Sequence, residues 1–367
     1  MPEHPHDASP VSADLVREQI ESVLLAWGMA EGPASTTALV MTETDLAGVD
    51  SHGISMLPIY DRLRLDGELN LRAEPRVVRD GPGTALLDAD AGLGHPASVR
   101  AMHLAIDKSR TQGIAAVSVV NSHHFGAAGY YAGLAAERGA IGFVTSSTRT
   151  VAVVPTRGAE PVLGTNPMAW AAPAGHNPPV ILDMATSVAA VNKVKVRALR
   201  GQEIPSGWVV DGQGRPVTDA SAAYDLLRNQ PEGGLSSLGG AEEMGGHKGY
   251  GLALFAHILG GALGGGAFAP LRQGPGGMGS QNLGHLFVAI DPGGFRAESD
   301  FRQDVDLVVD TLRATRPADP GAPVLVAGDP ERAARDRRLE HGIPVPGALR
   351  ADIRKVAEAA GVAYRLG

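Results

Sequence analysis

Ile114-Ala-Ala-Val-Ser-Val-Val120, running directly into Asn121-Ser-His-His124-Phe-Gly126, is the stretch on which the reading of the fold turns. Seven uncharged residues rich in Val, Ile and Ala read as a buried strand. The polar corner then opens a Gly/Ala-rich helix over about Ala127–Arg138, and a second strand follows at Ile141–Thr145. Strand, helix and strand in succession predict a layered α/β protein. In such layers ligands bind at the carboxyl ends of strands, so the 121–126 corner is a candidate site. Its plain alternative is a polar loop.

Working outward, β-like runs fall at Arg76–Arg79 and Ala85–Asp88, and a helix at about Pro96–Thr111. Further strands fit Met168–Ala172, Val180–Asp183 and His285–Ile290, with a helix at about Val188–Leu199. Trp208–Val217 reads as a hairpin with Asp-Gly turn chemistry. Gln230–Gly246 reads as a mobile loop, and the uncharged stretch Gly249–Leu271 as a buried helix. That stretch is too rich in Gly, and too interrupted by His257 and Pro270, for a membrane span.

Both ends are helical. After Ser12, a plausible N-cap, Leu15, Val16, Ile20, Val23, Leu24 and Trp27 recur at helical spacing. A second helix starts at Gly32-Pro33, and a third follows Gly53. Ser299–Thr315, Pro330–Glu340 and Gly347–Ala360 read as helices, with a strand at Val324–Ala327. The expected organisation is a discontinuous helical domain, 12–74 with 299–367, around an α/β domain at 75–298. Residues 1–11 are expected to be a disordered tail.

Composition excludes several classes. The 367 residues carry a formal net charge of −8, so nothing general attracts a nucleic-acid backbone. There is no Cys, which removes disulfide scaffolds, Cys-ligated zinc, iron–sulfur clusters and thiol nucleophiles. The N-terminus shows no secretory pattern, so a cytoplasmic protein is expected. No P-loop, metal-binding His pair of the H-E-x-x-H kind or G-x-S-x-G elbow occurs, and no metal is expected. Gly92-Leu-Gly94-His-Pro-Ala97 matches a dinucleotide fingerprint only loosely, because no acidic residue ends the next strand.

Four junctions carry chemistry. Asp50-Ser51-His52-Gly53 lies between two helices, and Asn121–Gly126 follows the buried strand. Asp183 ends the apolar Val180-Ile-Leu182, where a part-buried carboxylate needs a partner. Gly245-Gly246-His247-Lys248-Gly249 opens the uncharged helix, where N–H groups and an ammonium would suit a phosphate. Together they point to acid–base chemistry with an anionic ligand.

The same segments resemble the type-2 malate/L-lactate dehydrogenase family, which includes ureidoglycolate, sulfolactate and diketogulonate dehydrogenases and a cyclic-imine reductase. The likeness runs from about Ser12 to Tyr364. It is carried by Thr42-Glu-Thr-Asp-Leu-Ala-Gly-Val-Asp-Ser-His-Gly53, Asn121-Ser-His-His-Phe-Gly-Ala-Ala-Gly-Tyr-Tyr131, Gly164-Thr-Asn-Pro167, Leu182-Asp-Met-Ala-Thr186 and His247-Lys-Gly-Tyr-Gly251. The resemblance implies a homodimer with a mixed-sheet cofactor domain that is not the usual Rossmann fold. It implies NAD(P)-dependent interconversion of a 2-hydroxy acid and its 2-oxo acid, with NAD favoured over NADP.

Carried over by position, His52 is the implied proton donor, in a relay with Ser51 and Asp183, and His124 is the acid/base of some members. Tyr60 and Thr165 correspond to substrate contacts. Thr148, Met184, Ala185, Thr186, His247, Lys248 and Gly328-Asp329-Pro330 correspond to cofactor contacts. Where many members carry an Arg that grips the substrate carboxylate, this chain has Met56. Either Arg149 or Lys193 takes that part, or the substrate is less acidic and Met56 faces its tail. Two rivals remain at this point: reduction of a cyclic imino acid, and a cofactor-free His/Asp hydrolase or lyase.

Overall fold

The computed structural model describes residues 8–271 and 281–367. The chain begins with β1 (Ala8–Val11), α1 (Ala13–Ala26), α2 (Glu31–Leu46) and α3 (Leu57–Leu65). It then builds β2 (Arg76–Asp80), β3 (Thr84–Asp88), α4 (Gly94–Gln112), β4 (Ile114–Ser122), α5 (Ala128–Glu137), β5 (Ile141–Ser146), β6 (Met168–Ala172) and β7 (Val180–Met184). α6 (Val191–Leu199), β8 (Val209–Val210), α7 (Ala220–Asn229), β9 (Gly234–Leu235) and α8 (Gly246–Gly260) follow. β10 (Leu283–Ile290), α9 (Glu298–Arg313), α10 (Asp329–His341), β11 (Ile343–Pro346) and α11 (Gly347–Ala360) complete it.

The main sheet has seven strands in the order β2-β3-β4-β10-β5-β6-β7. Only the β3–β4 pair is parallel, so the sheet is mixed. Small side chains set how the helices lie on it. Ala97, Ala101 and Ala105 of α4 and Ala132 and Ala135 of α5 are fully buried against the sheet. At Gly142 a Cβ would stand 2.6 Å from the Ala132 carbonyl oxygen, so α5 approaches β5 at backbone distance.

A second core joins the two ends of the chain. Val16, Ile20, Leu24, Met41, Leu57 and Tyr60 pack with Ile343, Val345, Ile353 and Val356. A third core lies around α6, α7 and β8. Among the described residues no helix is long and apolar enough to cross a membrane.

Several expectations need correction. Ala8–Val11, expected in the disordered tail, pairs antiparallel with β11; residues 1–7 lie outside the described residues. Pro10, Pro344 and Pro346 hide this ribbon from a strand pattern, since proline lacks a ladder donor. Val324–Ala327 is not a strand: its carbonyl at Ala327 takes one bond from Ile181 N–H, and the chain then turns at Gly328. The Trp208–Val217 hairpin does form, with Val217 N–H on the Val209 carbonyl oxygen at 2.9 Å and Val210 bridged to Pro216, and β8 pairs on its other side with β9. Gln230–Gly246 is partly core, with Leu235, Ser236 and Ser237 buried and bonded to Ala152 and Trp208. The uncharged helix ends at Gly260 and leaves Leu254, Phe255 and Ile258 exposed along one flank.

α9, grouped above with the terminal helices, is tied instead to the 174–177 loop beside β6. The Asp306 carboxylate accepts the N–H groups of Gly175, His176 and Asn177 at 2.9–3.1 Å. Burial raises this carboxyl, but the Asn177 and His176 N–H bonds outweigh it and hold the group at about 2. Its stabilising effect is therefore present above the ordinary carboxylate range and lost as pH falls toward 2. Asp306→Ala is expected to cost about 1–3 kcal/mol at pH 7 by removing these charge-assisted bonds and orphaning the buried Asn177 N–H. In urea unfolding the gap from wild type should close between about pH 4 and pH 2; a gap independent of pH would contradict the assignment.

Candidate active site

The end of α2 builds the first half of the site. Gly48, at φ 83°, closes the helix, and Val49 N–H reaches back to the Thr44 carbonyl oxygen at 3.1 Å. The chain then folds over the buried Asp45, whose carboxylate accepts the Ile54 N–H at 2.8 Å. Burial pushes the Asp45 carboxyl up to about 8, against the pull of that N–H. Gly53 leaves no room beside it, since a Cβ there would stand 1.8 Å from Asp45 Oδ1. Arg338 of α10, itself buried, donates to the Asp45 carbonyl oxygen and pairs with the Asp50 carboxylate. The turn carrying Ser51 and His52 is thus bolted from within by Asp45 and from the far end of the chain by Arg338.

His52 Nδ1 lies 2.7 Å from Ser51 Oγ. Its ring centre is 5.2 Å from that of His124, which arrives from the corner after β4. Tyr60 of α3 bonds His124 Nδ1 through its hydroxyl at 2.7 Å. His123 points the other way, its Nε2 2.9 Å from the Glu68 carbonyl oxygen, so the adjacent histidines serve different surroundings. Burial lowers the pKa of His52, takes His123 to about 4, and takes His124 well below the ordinary range. His52, His95, His285 and Arg149 all add to the lowering at His124.

Asp183 stands apart from this pair. It lies at the end of β7, exposed to solvent, and Oδ2 accepts the Gly129 N–H at 2.7 Å. The protein crowding around it raises its carboxyl to about 6 despite that bond. Among the described residues its hydrogen bond goes to Gly129 and not to His52, so a Ser51–His52–Asp183 chain is not closed here.

The expected cofactor positions fall into two groups. Thr186 is buried and donates to the carbonyl oxygens of Thr165 and Asn166, both at 3.0 Å, directly after Met184 and Ala185. Thr148 meets Asn166, whose amide holds α8 through the Ala253 carbonyl oxygen. Leu238 N–H bonds the Thr186 carbonyl oxygen, and Gly249 packs on Leu238, which brings the start of α8 beside this loop. His247 and Lys248 are exposed in the first turn of α8. A cationic side chain at the positive end of a 15-residue helix fits the diphosphate of a nicotinamide dinucleotide.

Gly328, Asp329 and Pro330 sit at the opposite end of β7, against Ile181. The Asp329 carboxylate is occupied by Arg313, Arg332 and the Val326 N–H, so it braces this turn. Met56 is half-buried against the terminal core, which gives it a packing role. Sequence reading assigned no part to Asp45 or Arg338. For Asp45 the signal was available: an acidic residue inside an otherwise core-forming helix.

The malate/L-lactate dehydrogenase family model matches residues 11–354. Malate dehydrogenase of Pyrococcus horikoshii is 36% identical over 352 residues, covering 96% of each chain. L-sulfolactate dehydrogenase of Methanocaldococcus jannaschii is 36% identical, covering 88% of this chain and 90% of its own. The crystal structure of malate dehydrogenase from Entamoeba histolytica superposes with a TM-score of 0.90 at 30% identity, over 97% of this chain and 99% of that one. The fold is therefore that of an oxidoreductase acting on a CH–OH group, in a class that works with a nicotinamide cofactor. The chain belongs to the malate/L-lactate dehydrogenase family.

The packing of Gly53 on Asp45 makes a direct prediction. Gly53→Ala should lose about 1–3 kcal/mol of stability through overpacking, because the clashing atoms belong to a buried, bonded carboxylate. Gly251→Ala, in α8 with nothing within 4 Å of its Cβ position, should instead gain about 0.5–1 kcal/mol. Equal effects in chemical denaturation would contradict the close packing at 53.

Proposed function

We propose that the protein interconverts a 2-hydroxy acid and its 2-oxo acid with NAD, and that His52 carries the transferred proton. The observation that carries this reading is the His52–His124 pair, 5.2 Å apart and each held by its own hydroxyl, Ser51 and Tyr60. When bound, the nicotinamide supplies or accepts the hydride. The protein's part is to hold the carbonyl, polarise its oxygen and deliver one proton to it. Free His52 has its pKa lowered by burial; a substrate carboxylate beside it would draw that pKa back up. Proton delivery is thereby coupled to an anionic substrate.

With Met56 against the terminal core, the carboxylate falls to another cation. Arg149 is the stronger of the two alternatives, because its charge acts on both His123 and His124. Lys193 lies exposed on α6, beside the third core. Thr148, Met184–Thr186, His247 and Lys248 form the proposed cofactor side, and Thr165 is retained as a substrate contact. Asp183 acts in this reading through its charge at the end of β7. A homodimer is supported by the exposed apolar flank of α8, a surface suited to a second copy. The solved Δ1-piperideine-2-carboxylate reductase of Pseudomonas syringae, at 28% identity and a TM-score of 0.81, keeps C=N reduction as a second reading.

The test is reduction of pyruvate, oxaloacetate and a cyclic imino acid with NADH and NADPH. Arg149→Ala should raise KM for the 2-oxo acid ~10- to 100-fold, the loss of a hydrogen bond to a charged group, with KM for NADH unchanged. Lys193→Ala should leave both constants alone. The reverse pattern would move the carboxylate site to α6, and turnover of the imine alone would select the second reading.

A further inference from the structure

We propose that Tyr60 is a positioning residue which, with the Gly126 N–H, locks His124 as the neutral tautomer with its proton on Nε2. His124 is then a fixed hydrogen-bond donor to the reacting oxygen, and the proton transferred comes from His52. This rests on the 2-hydroxy acid reading above and assigns Tyr60 a part other than substrate contact.

Gly126 N–H points at His124 Nδ1 at 3.3 Å, and a backbone N–H only donates. Nδ1 must therefore present its lone pair, and the single proton of a neutral ring sits on Nε2. The Tyr60 hydroxyl, 2.7 Å from the same nitrogen, then has one way to bond it, by donating. Tyr60 is fully buried, and burial holds its phenol well above its ordinary range, so it keeps the proton it donates. A fully buried hydroxyl already spent on His124 is not placed to hold a substrate.

The surroundings favour the same state. Around His124, the Arg149 charge and any proton on His52 oppose a further positive charge, while burial takes His95 and His285 down to about 3 and keeps both neutral. His95 is fully buried, and among the described residues neither of its ring nitrogens has a partner. It packs edge-on to both Tyr60 and His124, at 6.0 and 6.4 Å between ring centres, and forms an uncharged wall. Gly126, at φ 83°, has the His95 ring 3.3 Å from its Cβ position, so only glycine delivers its N–H here without displacing that wall.

In the reducing direction, a hydride whose C4–H bond to a bound dihydronicotinamide would break forms the new C–H bond at C2, and the carbonyl π pair moves onto oxygen. Oxygen takes the proton of the His52 imidazolium, with the His124 Nε2–H bonded to it throughout. His52 is reprotonated from solvent.

The first test reads the wild-type enzyme. In a long-range 1H–15N spectrum of the full-length enzyme without substrate or cofactor, His124 is assigned by its loss in His124→Gln. Its Nδ1 should show an unprotonated shift and its Nε2 a protonated one, unchanged from pH 8 to pH 5.5. A protonated Nδ1, or titration within that range, overturns the proposal whether or not any 2-oxo acid is turned over. In Tyr60→Phe, kcat should fall about 10-fold with both KM values near wild type, and His124 should begin to titrate toward the ordinary histidine range. A raised KM for the 2-oxo acid with the His124 spectrum unaltered would return Tyr60 to substrate contact and overturn the lock.

Discussion

The β3–β4 pairing continues past the ends of both strands, and the rest of the site hangs on that continuation. Ala89 N–H bonds the Val120 carbonyl oxygen, Ala91 bonds Asn121, His123 bonds Gly92 and Gly94 bonds His124, all at 2.8–3.1 Å. To make these bonds Asp90, Ala91 and Asn121 adopt left-handed backbone angles of 53–55°, a cluster of strain that the closed ladder offsets. The zipped corner holds His124 against Tyr60 and sends His123 to Glu68. It also explains Gly92-Leu-Gly94. A Cβ at Gly94 would meet the His123 carbonyl oxygen and Phe125 Cβ at 2.6 Å, so the motif serves close packing rather than a diphosphate.

The opposite wall comes from the chain ends. α2 supplies Asp45 and the His52 turn, and α10, nearly 300 residues later, supplies the Arg338 that secures the turn. One buried guanidinium with a carbonyl and a carboxylate as partners satisfies its charge where an unpaired one would be costly. The link explains why the termini share a core: His52 reaches His124 only if α2 and the sheet keep their spacing. Asp306 and Arg313 of α9 fix the far end of β7 in a similar way, through the 174–177 loop and Asp329.

Much of this was legible in the residues. The runs at Ile114–Val120, Ile141–Thr145 and His285–Ile290 carried enough β-branched and apolar side chains to mark buried strands, and these are three adjacent strands of the sheet. Ser51-His52-Gly53 and the 121–126 corner stood out because polar residues followed apolar runs at element ends. What escaped depends on tertiary partners. β1 and β11 are short and proline-bearing, so only their mutual pairing makes them strands. Gly234–Leu235 is strand-like because Leu235 N–H bonds the Ala152 carbonyl oxygen, its own carbonyl accepts from Val154 N–H, and β8 pairs along it. The part played by Tyr60 follows from which atom its hydroxyl meets, and spacing holds no record of that. Motif order likewise put Asp183 in one relay with His52, whereas the folded chain gives its carboxylate to Gly129.

The central claim is that the His52–His124 pair serves hydride transfer to the C2 carbonyl of a 2-oxo acid. The most direct measurement is the fate of deuterium when the enzyme reduces oxaloacetate or pyruvate with NADH carrying deuterium on the transferred face of C4, in ordinary water. The account predicts one deuterium at C2 of the hydroxy acid and none on its oxygen after exchange, with the wild-type rate lost in His52→Ala. Product bearing solvent hydrogen at C2, or an undiminished rate without His52, would contradict it.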